Sequence, residues 1–168
     1  MSHINLYNSM NFSEDVNEAI CNISKDQREL LSIYKIGSSV ENTPMLAINL
    51  GIGSKKILIN ATHHAREMIN TILLLDQIQY ILNLYKTKSS VDNINIRELL
   101  HKVTLVFVPL VNPDGADLVL NGKYFLSNQY KNMFYLQRNS FESWKSNIRG
   151  VDLNRNYPTK HPSNDTVN

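Results

Sequence analysis

Residues Ile57–Asn70 read ILINATHHAREMIN. Ile57, Leu58, Ile59 and Ala61 form an apolar run that leads into Thr62, His63 and His64. Ala65, Arg66 and Glu67 then open a long apolar helical stretch. The pattern predicts a buried, central strand emptying into a helix, with His64 and Glu67 at the junction. In open α/β sheets, ligands gather just beyond the carboxyl ends of strands. Neutral imidazole and carboxylate both ligate Zn²⁺, at roughly 2.0–2.2 Å. An i,i+3 pair at a helix start shares one face and can converge on one ion. A catalytic zinc normally takes three protein ligands and a water, so these two residues leave a third to be found.

On the N-terminal side, Ser13 reads as a helix N-cap, with Glu14 and Asp15 favourable to the dipole in the first turn. Val16, Ala19, Ile20 and Ile23 continue at helical spacing. Ser32–Gly37 and Met45–Leu50 read as two strands of a hairpin across a turn that holds Asn42 and Pro44. Gly51, Gly53 and Ser54 turn the chain into the Ile57–Thr62 strand. On the C-terminal side, the helix from about Met68 to Tyr85 is apolar on more than one face, which suits packing on a sheet. Asn95–Leu100 reads as a short helix, and Val103–Val111, VTLVFVPLV, as a central strand. Asn112-Pro113-Asp114-Gly115 is a strong turn signal, with one helical turn expected over Ala116–Leu120. Tyr124–Ser143 has no clean periodicity and reads as an ordered loop. Its aromatic residues, Tyr124, Phe125, Tyr130, Phe134 and Tyr135, are assigned to core packing, and Trp144 to an anchor. Trp144–Pro158 contains strand-like pieces.

The 168 residues suit one domain with a real core. A net charge of +2 points to neither nucleic acid nor an anionic membrane as partner. The single Cys21 excludes an internal disulfide framework, and its apolar neighbours predict a buried position. No signal-peptide pattern opens the chain, and the Ile69–Leu84 stretch is too interrupted by polar residues to span a bilayer. The expectation is a cytoplasmic protein. His3 and His101 read as solvated, and His63 as a locally packed neighbour that is not a ligand.

Separated segments carry a resemblance. His64-Ala65-Arg66-Glu67 resembles the H-x-x-E zinc motif of the carboxypeptidase A-like zinc metallopeptidases. Asn112–Gly115 is similar to that family's NPDG turn, and Gly150–Asn156, GVDLNRN, to its G-V-D-x-N-R-N segment. Ile36–Asn42 resembles the stretch before the second strand. Ser143–Asn154, SWKSNIRGVDLN, is similar to the bacterial γ-D-glutamyl-diamino acid endopeptidases, which trim peptidoglycan peptides. The resemblance implies an α/β fold, a mixed sheet flanked by helices, here represented by about its first half. Residues 1–158 would be the N-terminal part of the catalytic domain, and 159–168 a disordered polar tail.

The resemblance also implies roles. His64 and Glu67 would be zinc ligands, and Asp152 the carboxylate that orients the His64 ring. Asn154 and Arg155 would grip a substrate carboxylate, for which arginine's planar fork is suited. Arg66 would line the cleft. The arginine that stabilises the oxyanion in the family aligns with Lys145 by the preceding Trp144, or with Arg149 by charge. The implied reaction is zinc-assisted hydrolysis of a peptide with a free carboxylate, with a glutamate as base. The family's third ligand and base lie far beyond the N-R-N segment. His161 follows it too closely, and no glutamate follows Glu142. The site is therefore expected to be incomplete, with strand edges and apolar surface uncovered. An N-acyl amino acid deacylase relative and an inactive remnant are the alternatives. Oligomeric state is not legible.

Overall fold

Phe12, Val16, Ala19 and Ile20 form the buried stripe of helix α1, Phe12–Ile23, in the computed structural model, which describes residue 9 and residues 11–23, 29–133 and 140–158. Cys21 follows Ile20 by one helical step, which turns it away from the stripe; it is exposed, not buried as expected. Ser13 does not stand outside the helix as its cap. It is a buried residue of the first turn, and its N–H donates to Asp117 Oδ1 at 3.2 Å, 104 positions along the chain. A tertiary acceptor thus satisfies one of the four free N–H groups that open a helix.

Strands β1, Leu31–Ser38, and β2, Pro44–Leu50, make the expected antiparallel hairpin, with a bulge between Lys35 and Gly37. After β3, Lys55–Asn60, comes α2, Ile69–Lys86. A small hairpin of β4, Ser90–Val91, and β5, Ile94–Asn95, turns through Asp92 and Asn93, both at positive φ as a two-residue hairpin turn requires. Asn95 then caps α3, Ile96–Lys102, its side chain accepting from the Arg97 and Glu98 N–H groups. Strand β6, Val103–Val108, follows. The Asn-Pro-Asp-Gly sequence is not a free turn. Asn112 is the N-cap of α4, Pro113–Asn121, with proline in the first helical position, where its missing N–H and fixed φ cost nothing. A 3₁₀ turn at Gly122–Phe125 and helix α5, Asn128–Met133, break up the expected loop. Trp144–Pro158 holds turns and a 3₁₀ turn at Leu153–Arg155, and no strand.

The sheet order is β1-β2-β6-β3, with β6 antiparallel to β2 and parallel to β3. It is the mixed sheet flanked by helices that was expected. Register aligns Ile33, Ile48, Phe107 and Ile59 in one row, and Leu31, Leu50, Leu105 and Ile57 in the next. All but Ile57 join one hydrophobic cluster, with residues of α1, α2 and α3. From α2 this cluster takes Leu74, Leu75, Ile78 and Leu82, each burial contributing about 1.5–3 kcal/mol.

The expectation of a buried central β3 is corrected. Among the described residues β6 is the inner strand, and β3 pairs on one side only. Ile57 is 48% exposed and Leu58 63%. The outer face of α2 is also apolar and open at Ile69, Leu73 and Tyr80. Tyr124 and Phe125 are exposed rather than core residues. Tyr130 and Trp144 pack against a second cluster of Leu118, Leu126, Phe141 and Ile148. Phe134, Tyr135, His3, His161 and the 159–168 tail lie outside the described residues. No helix of the described residues is long and apolar enough to cross a membrane.

Asp117 yields a pH-dependence. Burial pushes its carboxyl up to about 6, against the opposing pull of hydrogen bonds from the Ser13 side chain and N–H, and the Asp114 and Glu14 charges push the same way as burial. A carboxyl raised in the folded state favours folding while protonated, and that stabilisation is lost as pH rises through about 6. The cost above that pH is on the order of 2–3 kcal/mol. Asp117→Asn keeps the Oδ1 acceptor and removes the titration. Thermal melts should show the variant gaining stability over the parent between pH 4 and pH 7; a constant difference across that range refutes the assignment.

Candidate metal centre

β3 runs out at Asn60 and its continuation stays tied to β6. The Ala61 N–H donates to Val108 O, and the Val111 and Asn112 N–H groups donate to Ala61 O and Thr62 O. Thr62 then takes φ +54, strained for a β-branched residue. Its hydroxyl donates to Glu67 O at 3.1 Å and lies 2.7 Å from the Thr71 hydroxyl. This reverses the chain beyond the strand end. Residues 61–68 form turns ahead of α2, so His64 and Glu67 are not on a shared helical face as the spacing predicts. A turn closed by the Glu67 N–H on His64 O brings them together instead.

His64 Nδ1 lies 3.0 Å from Glu67 Oε1. The other ring nitrogen, Nε2, lies 3.5 Å from Asp152 Oδ1. The His64 side chain is 16% exposed, Glu67 41% and Asp152 35%, so the pair opens to the surface with its imidazole sheltered. Two donors on one tetrahedral zinc ion lie roughly 3.3 Å apart for bonds of about 2.0–2.1 Å. The nitrogen and carboxylate donors therefore fit Zn²⁺ in kind and in spacing. Asp152, on the opposite ring nitrogen, is no third donor to the same ion; it stands where a carboxylate orients a ligand imidazole. Among the described residues no three His, Cys, Asp or Glu side chains are grouped to hold a metal.

Arg66 is exposed beside the two ligand positions, and Asn154 and Arg155 are exposed in the 3₁₀ turn capped by Asp152 Oδ1, which accepts the Asn154 N–H at 2.9 Å. The Lys145 carbonyl accepts the Ala65 N–H at 2.9 Å, which ties its loop to the His64 turn. Arg149 is exposed in a separate turn, its N–H bonded to Asn147 Oδ1. Sequence reasoning missed two features. Asn112, 2% exposed, donates through Nδ2 to His63 O and Ser146 O, both at 3.1 Å, while Oδ1 accepts the Gly115 N–H. His63 Nε2 lies 2.6 Å from the Tyr157 hydroxyl. Burial, with His64 beside it, lowers the His63 pKa, and Asp152 and Glu67 oppose that shift. No sequence signal links His63 to a residue 94 positions away.

The Peptidase_M14 family model, zinc carboxypeptidase, matches residues 16–168. The chain belongs to the zinc carboxypeptidase family. It is 36% identical over 127 residues to the γ-D-glutamyl-L-diamino acid endopeptidase 1 of Lysinibacillus sphaericus, covering 74% of this chain and 32% of that protein. It is 34% identical over 148 residues to the uncharacterized protein YqgT of Bacillus subtilis (strain 168), covering 82% and 39%. The crystal structure of thrombin activatable fibrinolysis inhibitor superposes on 89% of this chain and 34% of its own, with a TM-score of 0.67 at 20% identity, a likeness of fold. The zinc carboxypeptidase chain thus spans about a third of the length of the curated relatives it matches.

Proposed function

We propose that the chain carries the first part of a zinc peptidase site, with His64 and Glu67 as two ligands and Asp152 as the group that orients His64. The observation that carries the reading is the division of the His64 ring, Nδ1 to Glu67 and Nε2 to Asp152. Family membership supports the metal and the hydrolytic class. The third ligand and the general base come from outside the described residues.

Bound zinc would polarise a scissile carbonyl and acidify a water. The chain's own residues do the rest. Asp152 holds the imidazole in one orientation and raises its basicity. Arg155 and Asn154 bind the free carboxylate of a peptide, arginine through its paired N–H groups. Arg66 lines the cleft, and a cation from Lys145 or Arg149 offsets negative charge developing on the carbonyl oxygen. The Lysinibacillus relative supports γ-D-glutamyl-diamino acid bonds of peptidoglycan peptides as the substrate class.

Titrating the chain with Zn²⁺, followed by the His64 ring resonances, tests the ligand pair. His64→Ala and Glu67→Gln should each weaken binding at least ~10-fold, and Asp152→Asn about 10–100-fold. Equal binding by the parent and His64→Ala overturns the reading. Hydrolysis of a γ-glutamyl peptide against an acylated amino acid, by an enzyme extended to its relatives' length, separates peptidase from deacylase.

A further inference from the structure

His63 and His64 are adjacent, yet their rings engage opposite ends of one segment. His64 faces Asp152, and His63 faces Tyr157 at 2.6 Å, with ring centroids 5.7 Å apart and tilted by 52°. Between those ends lie Asn154 and Arg155. Hydrogen bonds inside the segment set its shape. The Asn154 N–H donates to Asp152 Oδ1, and the Arg155 N–H and Asn156 Nδ2 donate to Asp152 O. None of these three bonds reaches the turn between β3 and α2. The His63 side of the contact is firmly held. Its carbonyl accepts from buried Asn112, and it follows the left-handed Thr62.

We propose that the His63–Tyr157 hydrogen bond is a latch that places the Asp152–Arg155 turn against the His64 turn. His63 and Tyr157 are then positioning residues for Asp152, Asn154 and Arg155. The inference rests on the zinc reading of His64 and Asp152. A site side chain must be held within roughly 0.5 Å of its working geometry. Upstream, the Lys145 and Ser146 carbonyls tie the loop to the Ala65 N–H and to Asn112 Nδ2. Asp152 Oδ1, shared between the Asn154 N–H and the His64 ring, continues that anchoring into the segment. The His63–Tyr157 contact, five residues beyond Asp152, fixes the far side of the turn.

Tyr157→Phe keeps the ring and deletes the hydroxyl, and the full chain is the test object. Amide hydrogen exchange without metal should quicken about 2- to 10-fold at Asn154 and Arg155, the range of one net hydrogen bond. Zn²⁺ affinity should fall by a similar factor, with the melting temperature unchanged. His63→Phe should match it, and the double variant should be no worse than either single one. Unchanged exchange in Tyr157→Phe, or losses that add in the double variant, overturns the latch. Faster exchange with unaltered Zn²⁺ affinity also overturns it, because the contact then only packs locally. Failure of the zinc reading shows elsewhere, as equal Zn²⁺ binding by the parent and His64→Ala. The metal-free exchange result is independent of that outcome.

Discussion

A Gly53→Ala chain is expected to fail to fold cooperatively. A Cβ built on Gly53 would overlap the Lys102–Val103 peptide where α3 passes into β6. The obstacle is backbone, so no rotamer change relieves it. The segment cannot back away either. The Ile52 N–H donates to Leu100 O at 2.8 Å, and the Gly53 carbonyl accepts the Thr104 hydroxyl at 2.7 Å. Two residues earlier Gly51, at φ +110, faces the Val103 and Leu100 carbonyls in the same way. Extra methylenes in a packed core usually cost about 1–3 kcal/mol, but those are met by yielding side chains. Here β3 must separate from β6, against a total stability of roughly 5–15 kcal/mol. Circular dichroism melts decide the matter. A sigmoidal transition within a few degrees of the parent would show that the two backbones do not approach so closely.

Asn112→Ala should cost about 3–4 kcal/mol, because burial leaves three backbone groups without their partner at about 1–3 kcal/mol each, partly relieved by relaxation. The His63 and Ser146 carbonyls lose a donor, and the Gly115 N–H loses its cap. For a chain of this size the melting temperature should fall by roughly 6–16 °C. Asn112→Asp should be worse, since it turns a carboxylate oxygen on two carbonyl oxygens. Because Asn112 joins the His63 turn to the Ser146 loop, both variants should also weaken Zn²⁺ binding, as measured by the titration above. A fall in melting temperature under ~3 °C would mean that water or a shifted loop replaces all three bonds.

Much of the fold was legible because its cues are local. The β1–β2 hairpin was marked by alternation around Asn42 and Pro44, and α2 by a long apolar run with no internal glycine or proline. The candidate metal pair was named for a different reason, the H-x-x-E motif supported by separated segments. What misled was apolar composition read as burial. Ile57 and Leu58 look like core residues, yet among the described residues β3 has a partner on one side only. Cys21 has apolar neighbours in sequence, but one helical step turns it outward. The Asn-Pro-Asp-Gly sequence carries turn residues that serve equally well to cap and start a helix.

The amino-acid sequence by itself determined the β1–β2 hairpin, helices α2 and α3, the strand β6, the mixed α/β class and the choice of His64 and Glu67 as candidate metal donors. Periodicity, capping residues and donor chemistry act over a few neighbouring positions and are readable there. Only the tertiary structure decided that β3 is the edge of the sheet among the described residues and that a turn, not a helical face, brings His64 to Glu67. It alone set Asn112 between two loops and Asp117 over the start of α1. Each of those depends on which distant group meets a polar atom once the chain has closed. Sheet order and register choose that partner, and no local pattern encodes it.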